Sequence, residues 1–190
     1  LIAPTLIPLI GAVGFARALA IAALAQLVVM ASIATVVLRR SPAALGVGPG
    51  DEVVVGAEAH MVWHEAGASA ANAGVQFAVA GQGGAFNEQD FRTAFKPAGH
   101  FVFPPTTLVA IENTHNRGGG VVFPQDDIVA ICAAARSLGA ATYLDGARLF
   151  NAAVASNLSL AELAAPFDVV SVALSKGVGC PAGSLIAGTA

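Results

Sequence analysis

The sequence predicts an α/β fold, in which helices flank a mostly parallel β-sheet. Short, nearly continuous runs of valine, isoleucine, leucine and alanine recur along the chain, as in strands that are buried on both faces. Segments with helical capping and charge patterns separate these runs. At 190 residues the chain is long enough to form one hydrophobic core, and its length suggests one domain.

Five apolar runs have the character of strands. In chain order they are Glu52–Gly56, Val75–Val79, Thr106–Glu112, Ala141–Leu144 and Asp168–Leu174. Helices are expected between them at Asn87–Phe95, at Pro124–Leu138, from about Ala147 onward, and near Leu160–Leu163. The second of these helices has the clearest signals, because a proline and two aspartates open it and an arginine and a glycine close it.

Charged residues are scarce in this chain, at 11% against about 25% in an average protein. With 56% apolar residues, this balance indicates a deeply buried protein, a membrane-associated one or a piece of a larger protein. We expect a piece, because the chain begins at Leu1. The net charge of −3 without a basic stripe argues against a nucleic-acid partner. Cys132 and Cys180 form no disulfide framework, which fits a reducing compartment such as the cytoplasm.

Residues 1–50 form an atypical apolar segment followed by a turn-rich connector. Ala18–Leu38 contains no charge over 21 residues and precedes two arginines, which makes it a candidate membrane span. Three polar residues interrupt the run, however, and alanine outnumbers leucine in it. We therefore favour a buried helix or an aberrant segment, with a membrane span as the alternative.

Lys176 stands out within the stretch Ser171–Thr189. It follows Ser175 at the carboxyl end of the last predicted strand, where a glycine-rich loop turns the chain. In an open α/β sheet, ligands bind at the carboxyl ends of the strands. We expect this lysine to be poorly solvated, which would lower its pKa and leave more of the free amine that attacks carbonyl groups. The alternative is a lysine that extends from a strand end into water.

Asp145 lies at the carboxyl end of the preceding predicted strand. It is 31 residues before Lys176, about the length of one strand–helix–strand unit. Two consecutive parallel strands would therefore present a carboxylate and an amine at the same edge of the sheet. A pyridoxal phosphate site needs this pair, with a lysine to bond the cofactor's aldehyde and a carboxylate to keep its pyridine nitrogen protonated. Alone, Asp145 would be better explained as a helix N-cap.

Four motifs together resemble the L-threonine aldolase family: AHMVWHEAG (Ala59–Gly67), ENTHNRGGGVVFP (Glu112–Pro124), YLDGARLFNAAVA and SVALSKGVGCPAGSLIAGT. The resemblance covers roughly Asp51 to the end of the chain. It implies that residues 51–190 are the large, cofactor-binding domain of an aminotransferase-like fold (pyridoxal phosphate fold type I). It also implies a small C-terminal domain beyond Ala190, and a homodimer or homotetramer with sites at subunit interfaces.

The reaction implied by this resemblance is the cleavage of L-threonine, L-allo-threonine and related L-β-hydroxy-α-amino acids to glycine and an aldehyde. His60 would stack on the cofactor ring, and His115 would act near the substrate hydroxyl as a base or as the residue that orients one. Arg148 would reach the cofactor or the substrate carboxylate, and Ser175 would contact the cofactor beside Lys176. The Ser-Gly-Thr-like turn with which the family holds the cofactor phosphate is not found in the sequence.

Other interpretations of these residues remain open. An aminotransferase or a β-eliminating lyase would keep Asp145 and Lys176 but need not have the histidine motifs. An inactive, truncated relic, with or without a membrane attachment, would explain the missing phosphate turn. His60 and His64 have a spacing that can bind zinc on a helix. We expect no metal, because Met61 occupies the position where zinc hydrolases carry a glutamate.

Overall fold

The computed structural model describes residues 45–188. The predictions for Ala18–Leu38 and for the rest of the first 44 residues lie outside this range. Within it, no helix is long and apolar enough to cross a membrane.

Six strands form one sheet in the described part of the chain. They are β1 (Glu52–Gly56), β2 (Gln76–Ala80), β3 (Thr106–Glu112), β4 (Ala141–Gly146), β5 (Val169–Ala173) and β6 (Ser184–Gly188). Their order across the sheet is β2-β1-β3-β4-β5-β6. The first five strands are parallel, and β6 runs antiparallel to β5. The predicted α/β fold with a mostly parallel sheet is confirmed.

Helices connect the parallel strands. They are α1 (His60–Trp63), a π-helical turn (Ser69–Ala73), α2 (Glu88–Ala94), α3 (Gln125–Ser137), α4 (Leu149–Ser156) and α5 (Leu160–Ala164). A capping box between Asn87 and Asp90 starts α2 and satisfies two backbone N–H groups that a helix end leaves free. Two predicted boundaries differ by two residues: β4 continues through Asp145 to Gly146, and α4 begins at Leu149 rather than near Ala147.

Two hydrophobic clusters cover opposite faces of the sheet. The larger one packs α2, α3 and α4 against alternate residues of the central strands, such as Val54, Val109 and Leu144. The smaller one contains the residues that point the other way, such as Val53 and Val55. Because side chains alternate along a strand, strands that are apolar at every position supply both clusters. This explains why the central strands lack the alternating pattern of a half-exposed sheet.

The strand at the lysine end of the sheet is less buried than its sequence predicts. Every residue of β5 is half-buried, and every residue of β6 is exposed. The expectation that Asp168–Leu174 is buried on both faces is therefore wrong for the described part of the chain. The physical reason is that the smaller cluster draws its members from β1, β2, β3, β4 and the segments beside β1, and so does not reach β5.

A buried glutamate holds the opposite, amino-terminal edge of the sheet. Glu52 begins β1 and is 1% exposed. Its Oε2 atom accepts hydrogen bonds from Lys96 Nζ at 2.5 Å and Gln76 Nε2 at 3.0 Å, and its Oε1 atom accepts one from Thr106 Oγ1 at 3.2 Å. Buried carboxylates are tolerated when they are paired in this way. Glu52 therefore has a structural role, since it holds together residues at the amino-terminal edge of the sheet. It lies away from the carboxyl ends of the strands.

Candidate active site

Polar side chains lie next to one another across β3, β4 and β5, close to the carboxyl ends of β3 and β4. Glu112 ends β3 and lies beside Asp145 of β4, which in turn lies beside Ser171 of β5. Adjacent positions in a parallel ladder point to the same face, so these three side chains share the face that carries the smaller cluster. Tyr143 is on this face too, and its hydroxyl is 2.7 Å from Ser171 Oγ. Burial raises the pKa of Tyr143 to about 12, so the hydroxyl stays protonated.

Asp145 is a buried carboxylate with one oxygen free of hydrogen bonds from the described residues. Its Oδ1 atom accepts a hydrogen bond from the Ala147 backbone N–H at 3.1 Å. The N-cap of α4 is Arg148, so Asp145 is not the helix cap that was its alternative explanation. Burial raises the pKa of Asp145, and the Glu112 carboxylate raises it further. The hydrogen bond from Ala147 and the positive charge of Lys176 both lower this pKa. Lys176 is thus close enough to act on Asp145 electrostatically.

Lys176 itself is exposed, and so are its neighbours from Ser175 to Gly179. The expectation of a poorly solvated lysine is wrong for the described residues, because the glycine loop runs along the surface after β5. Gly177 lies close to α4, since a Cβ atom there would be 2.4 Å from Asn151 Oδ1, at the end of an exposed side chain. The loop therefore passes over the start of α4 and leaves Lys176 accessible.

His60 is half-buried at the first position of α1. Its backbone N–H donates a hydrogen bond to Glu112 Oε2 at 2.7 Å, which links α1 to the end of β3. Its imidazole lies against that of His64, with 4.9 Å between the ring centroids. Within residues 45–188, no group of three or more His, Cys, Asp or Glu side chains is arranged to hold a metal ion.

His115 is 1% exposed, and one of its ring nitrogens is engaged in a hydrogen bond. Its Nδ1 atom accepts a hydrogen bond from the Gly118 backbone N–H at 3.0 Å. A neutral imidazole that accepts at Nδ1 carries its proton on Nε2. The Nε2 atom lies 3.7 Å from Glu112 Oε2 and has no hydrogen-bond partner among the described residues. In this arrangement the ring has no free lone pair with which to accept a proton.

Gly84 packs directly against the His115 ring. It lies in the loop after β2, with φ of +94°, and a Cβ atom there would be 2.4 Å from His115 Cγ. The contact joins two loops that are far apart in the sequence. The Gly-Gly pair at 83 and 84 directly after a strand was the signal that could have pointed to it.

We expect Gly84→Ala to lower the free energy of unfolding by about 1–3 kcal/mol more than Gly83→Ala does. Both glycines have positive φ, but a Cβ atom on Gly83 would meet nothing within 4 Å. The difference between the variants therefore isolates the clash with His115 from the backbone strain that they share. Urea denaturation monitored by circular dichroism measures it. Equal stability of the two variants would contradict this packing.

Glu112 is the site residue that sequence reasoning missed. It was identified only as the end of a strand, although its place at the end of β3 matches that of Asp145 at the end of β4. It is 7% exposed, and both carboxylate oxygens are used. Oε2 accepts from His60, and Oε1 accepts from the Asn116 backbone N–H at 2.9 Å. Matching strand ends was the signal that could have found it.

The two remaining predicted site residues lie near this edge without a specific contact. Arg148 is half-buried at the N-cap of α4, and none of the ion pairs of residues 45–188 includes it. Ser175 is exposed next to Lys176. The structure thus brings Asp145, Glu112, His60 and His115 to one edge. Lys176 and Ser175 are exposed there, and Arg148 is half-buried after β4.

This fold is the aminotransferase-like one that the motifs imply. It matches the structure of a mutant aspartate aminotransferase from Thermus thermophilus with a TM-score of 0.50 and 18% identity, over 74% of this chain and 37% of that one. The chain belongs to the beta-eliminating lyase family, whose model matches residues 42–190.

The chain is similar to proteins named threonine aldolases within this group. It is 36% identical to the low specificity L-threonine aldolase of Escherichia coli over 73% of this chain and 41% of that protein. It is 27% identical to the threonine aldolase of Leishmania major, with a TM-score of 0.61 over 75% of this chain and 42% of that one. The resemblance found in the motifs is confirmed. The chain spans less than half the length of each of these relatives.

Proposed function

We propose that this chain is the cofactor-binding part of a pyridoxal phosphate-dependent aldehyde-lyase. Its substrates would be L-threonine, L-allo-threonine and related L-β-hydroxy-α-amino acids, which it would cleave to glycine and an aldehyde. The observation that carries the proposal is that buried Asp145, near the end of β4, and Lys176, in the loop after the neighbouring β5, lie at the same edge of the sheet. The similarity to threonine aldolases supports the choice of substrate. A cytoplasmic homodimer or homotetramer is part of the proposal.

The residues at this edge fit the ring of the cofactor. When bound, pyridoxal phosphate withdraws electrons from the substrate α-carbon, which allows the Cα–Cβ bond to break. The free oxygen of Asp145 can hold the proton of the pyridine nitrogen, and a cation there would offset the cost of burying the carboxylate. Lys176 is accessible for bonding to the aldehyde. His60 can place its imidazole on the ring, and Arg148, at the N-cap of α4, would be available to an anionic group.

The hydrogen bond that Nδ1 of His115 accepts favours an orienting role over proton transfer. Cleavage requires that a base take the proton of the β-hydroxyl group. His115 could take it only after losing the Gly118 hydrogen bond at Nδ1. We therefore assign the proton to a bound water, with His115 holding the loop that shapes this part of the site.

The direct test is product analysis of the protein supplied with pyridoxal phosphate. We expect acetaldehyde and glycine from both L-threonine and L-allo-threonine. Formation of 2-oxobutanoate from L-threonine would instead indicate β-elimination, and amino transfer from L-alanine to a 2-oxo acid would indicate an aminotransferase. Protein that gains no visible absorbance from the cofactor would be the inactive relic.

A pair of histidine variants tests the roles of the two rings. A base that is removed costs roughly 10²–10⁴-fold in rate, and we expect His115→Phe to lose less than that in kcat while still binding cofactor and glycine. His60→Phe keeps an aromatic face and should retain cofactor with partial activity. Rates of L-threonine cleavage measure both. A loss by His115→Phe at the upper end of that range would restore His115 as the base.

A further inference from the structure

Glu112 connects the two segments that carry the candidate histidines. Its two carboxylate oxygens accept hydrogen bonds from different loops, from the His60 N–H at 2.7 Å and the Asn116 N–H at 2.9 Å. The first of these contacts spans 52 residues of sequence. Hydrogen bonds to a charged acceptor are stronger than neutral ones, and a buried N–H left without an acceptor is costly. Moving the His60 or the Asn116 N–H away from Glu112 would therefore lose a hydrogen bond to a charged acceptor.

A second, outer contact joins the same two segments. The Arg117 guanidinium lies over the Trp63 ring at 4.5 Å from its centroid, and its Nη2 atom is 3.5 Å from Glu58 Oε1. Arg117 belongs to the loop after β3, whereas Glu58 and Trp63 flank His60. This contact is more exposed than the inner one, and exposed ion pairs contribute little. The inner contact through Glu112 therefore sets the spacing of the two segments.

We propose that Glu112 is a positioning residue, whose carboxylate fixes the His60 and His115 segments relative to each other beside Asp145. The inference rests on the proposed function in that the fixed segments would face the bound cofactor. Glu112 also acts on Asp145 electrostatically, together with Lys176 and Glu65. A Gln side chain would keep its shape but replace one accepting oxygen with a donor, leaving one of the two backbone N–H groups without an acceptor.

The test compares Glu112→Gln with Glu52→Gln. Glu52 is as buried as Glu112 but lies at the amino-terminal edge of the sheet, so its variant controls for the general cost of altering a buried glutamate. In the protein without cofactor, Glu112→Gln should speed hydrogen exchange at the His60 or the Asn116 amide about tenfold or more. With pyridoxal phosphate bound, it should weaken the visible circular dichroism of the cofactor and lower kcat for L-threonine about tenfold.

Glu52→Gln should leave these amides and the dichroism unchanged. Equal effects of the two variants, or unchanged exchange at both amides in Glu112→Gln, would overturn the proposal. If Glu112→Gln does not fold, Glu112→Asp keeps the charge on a shorter side chain that cannot reach both amides, and the same exchange result is expected. If the wild-type protein binds no cofactor, the proposed function fails, while the exchange measurement still tests Glu112.

Discussion

Asp145→Asn is expected to retain cofactor but to slow L-threonine cleavage by about 100-fold or more, the scale on which losing one preorganised electrostatic partner slows an enzyme. The amide cannot stabilise a protonated pyridine nitrogen, and a charge-assisted hydrogen bond becomes a neutral one. Steady-state kinetics with saturating cofactor measure the effect. Unchanged turnover would mean that Asp145 only organises the turn before α4 through Ala147.

The same variant should have the opposite effect on the stability of the cofactor-free protein. Because burial raises the pKa of Asp145, the native protein binds more protons than the unfolded one between the two pKa values. The contribution of this carboxyl group to the free energy of unfolding therefore falls as the pH rises through that window. Asp145→Asn removes this dependence, and it should be at least as stable as the wild type at neutral pH. Urea denaturation at several pH values checks the slope.

Lys176→Ala is expected to abolish covalent attachment of the cofactor and to lower cleavage about 10³-fold or more, because it removes the amine that would bond the cofactor's aldehyde. Lys176 is exposed, so the substitution should leave the free energy of unfolding within about 0.5 kcal/mol of the wild-type value. The loss can then be assigned to chemistry. Absorbance, cleavage rate and urea denaturation of the same sample measure the three quantities.

Lys176→Arg is the matched control for this prediction. It keeps a positive charge beside Asp145 but has no amine that can bond to an aldehyde. We expect it to lose covalent attachment as completely as Lys176→Ala does. Cleavage by either variant at the wild-type rate would remove Lys176 from the mechanism.

Much of the fold could be predicted because its signals are local. The apolar runs that became β1 and β3 have the predicted bounds, and α3 lies within the predicted Pro124–Leu138. Asp145 and Lys176 could be placed at one edge because the carboxyl ends of consecutive parallel strands share it. The end of β4 was predicted too early, because Asp145 and Gly146 keep pairing with β5 beyond the apolar run. The start of α4 was therefore predicted too early as well.

The parts that could not be predicted depend on contacts between distant segments. Glu112 takes its role from His60, which precedes it by 52 residues, and no periodicity in the sequence connects the two. The burial of His115 depends on Gly84 in another loop. The exposure of Lys176 depends on which segments cover β5, and the apolar sequence of β5 does not specify them. Strand patterns thus locate the edge of the sheet, while tertiary contacts decide which side chains are free to react there.

Borohydride reduction followed by peptide mass spectrometry tests the central claim most directly. Reduction makes the bond between a lysine and pyridoxal phosphate permanent, so the labelled lysine can be identified. The account predicts a label on Lys176. A label on Lys96 instead, which pairs with Glu52 at the opposite edge of the sheet, would contradict it.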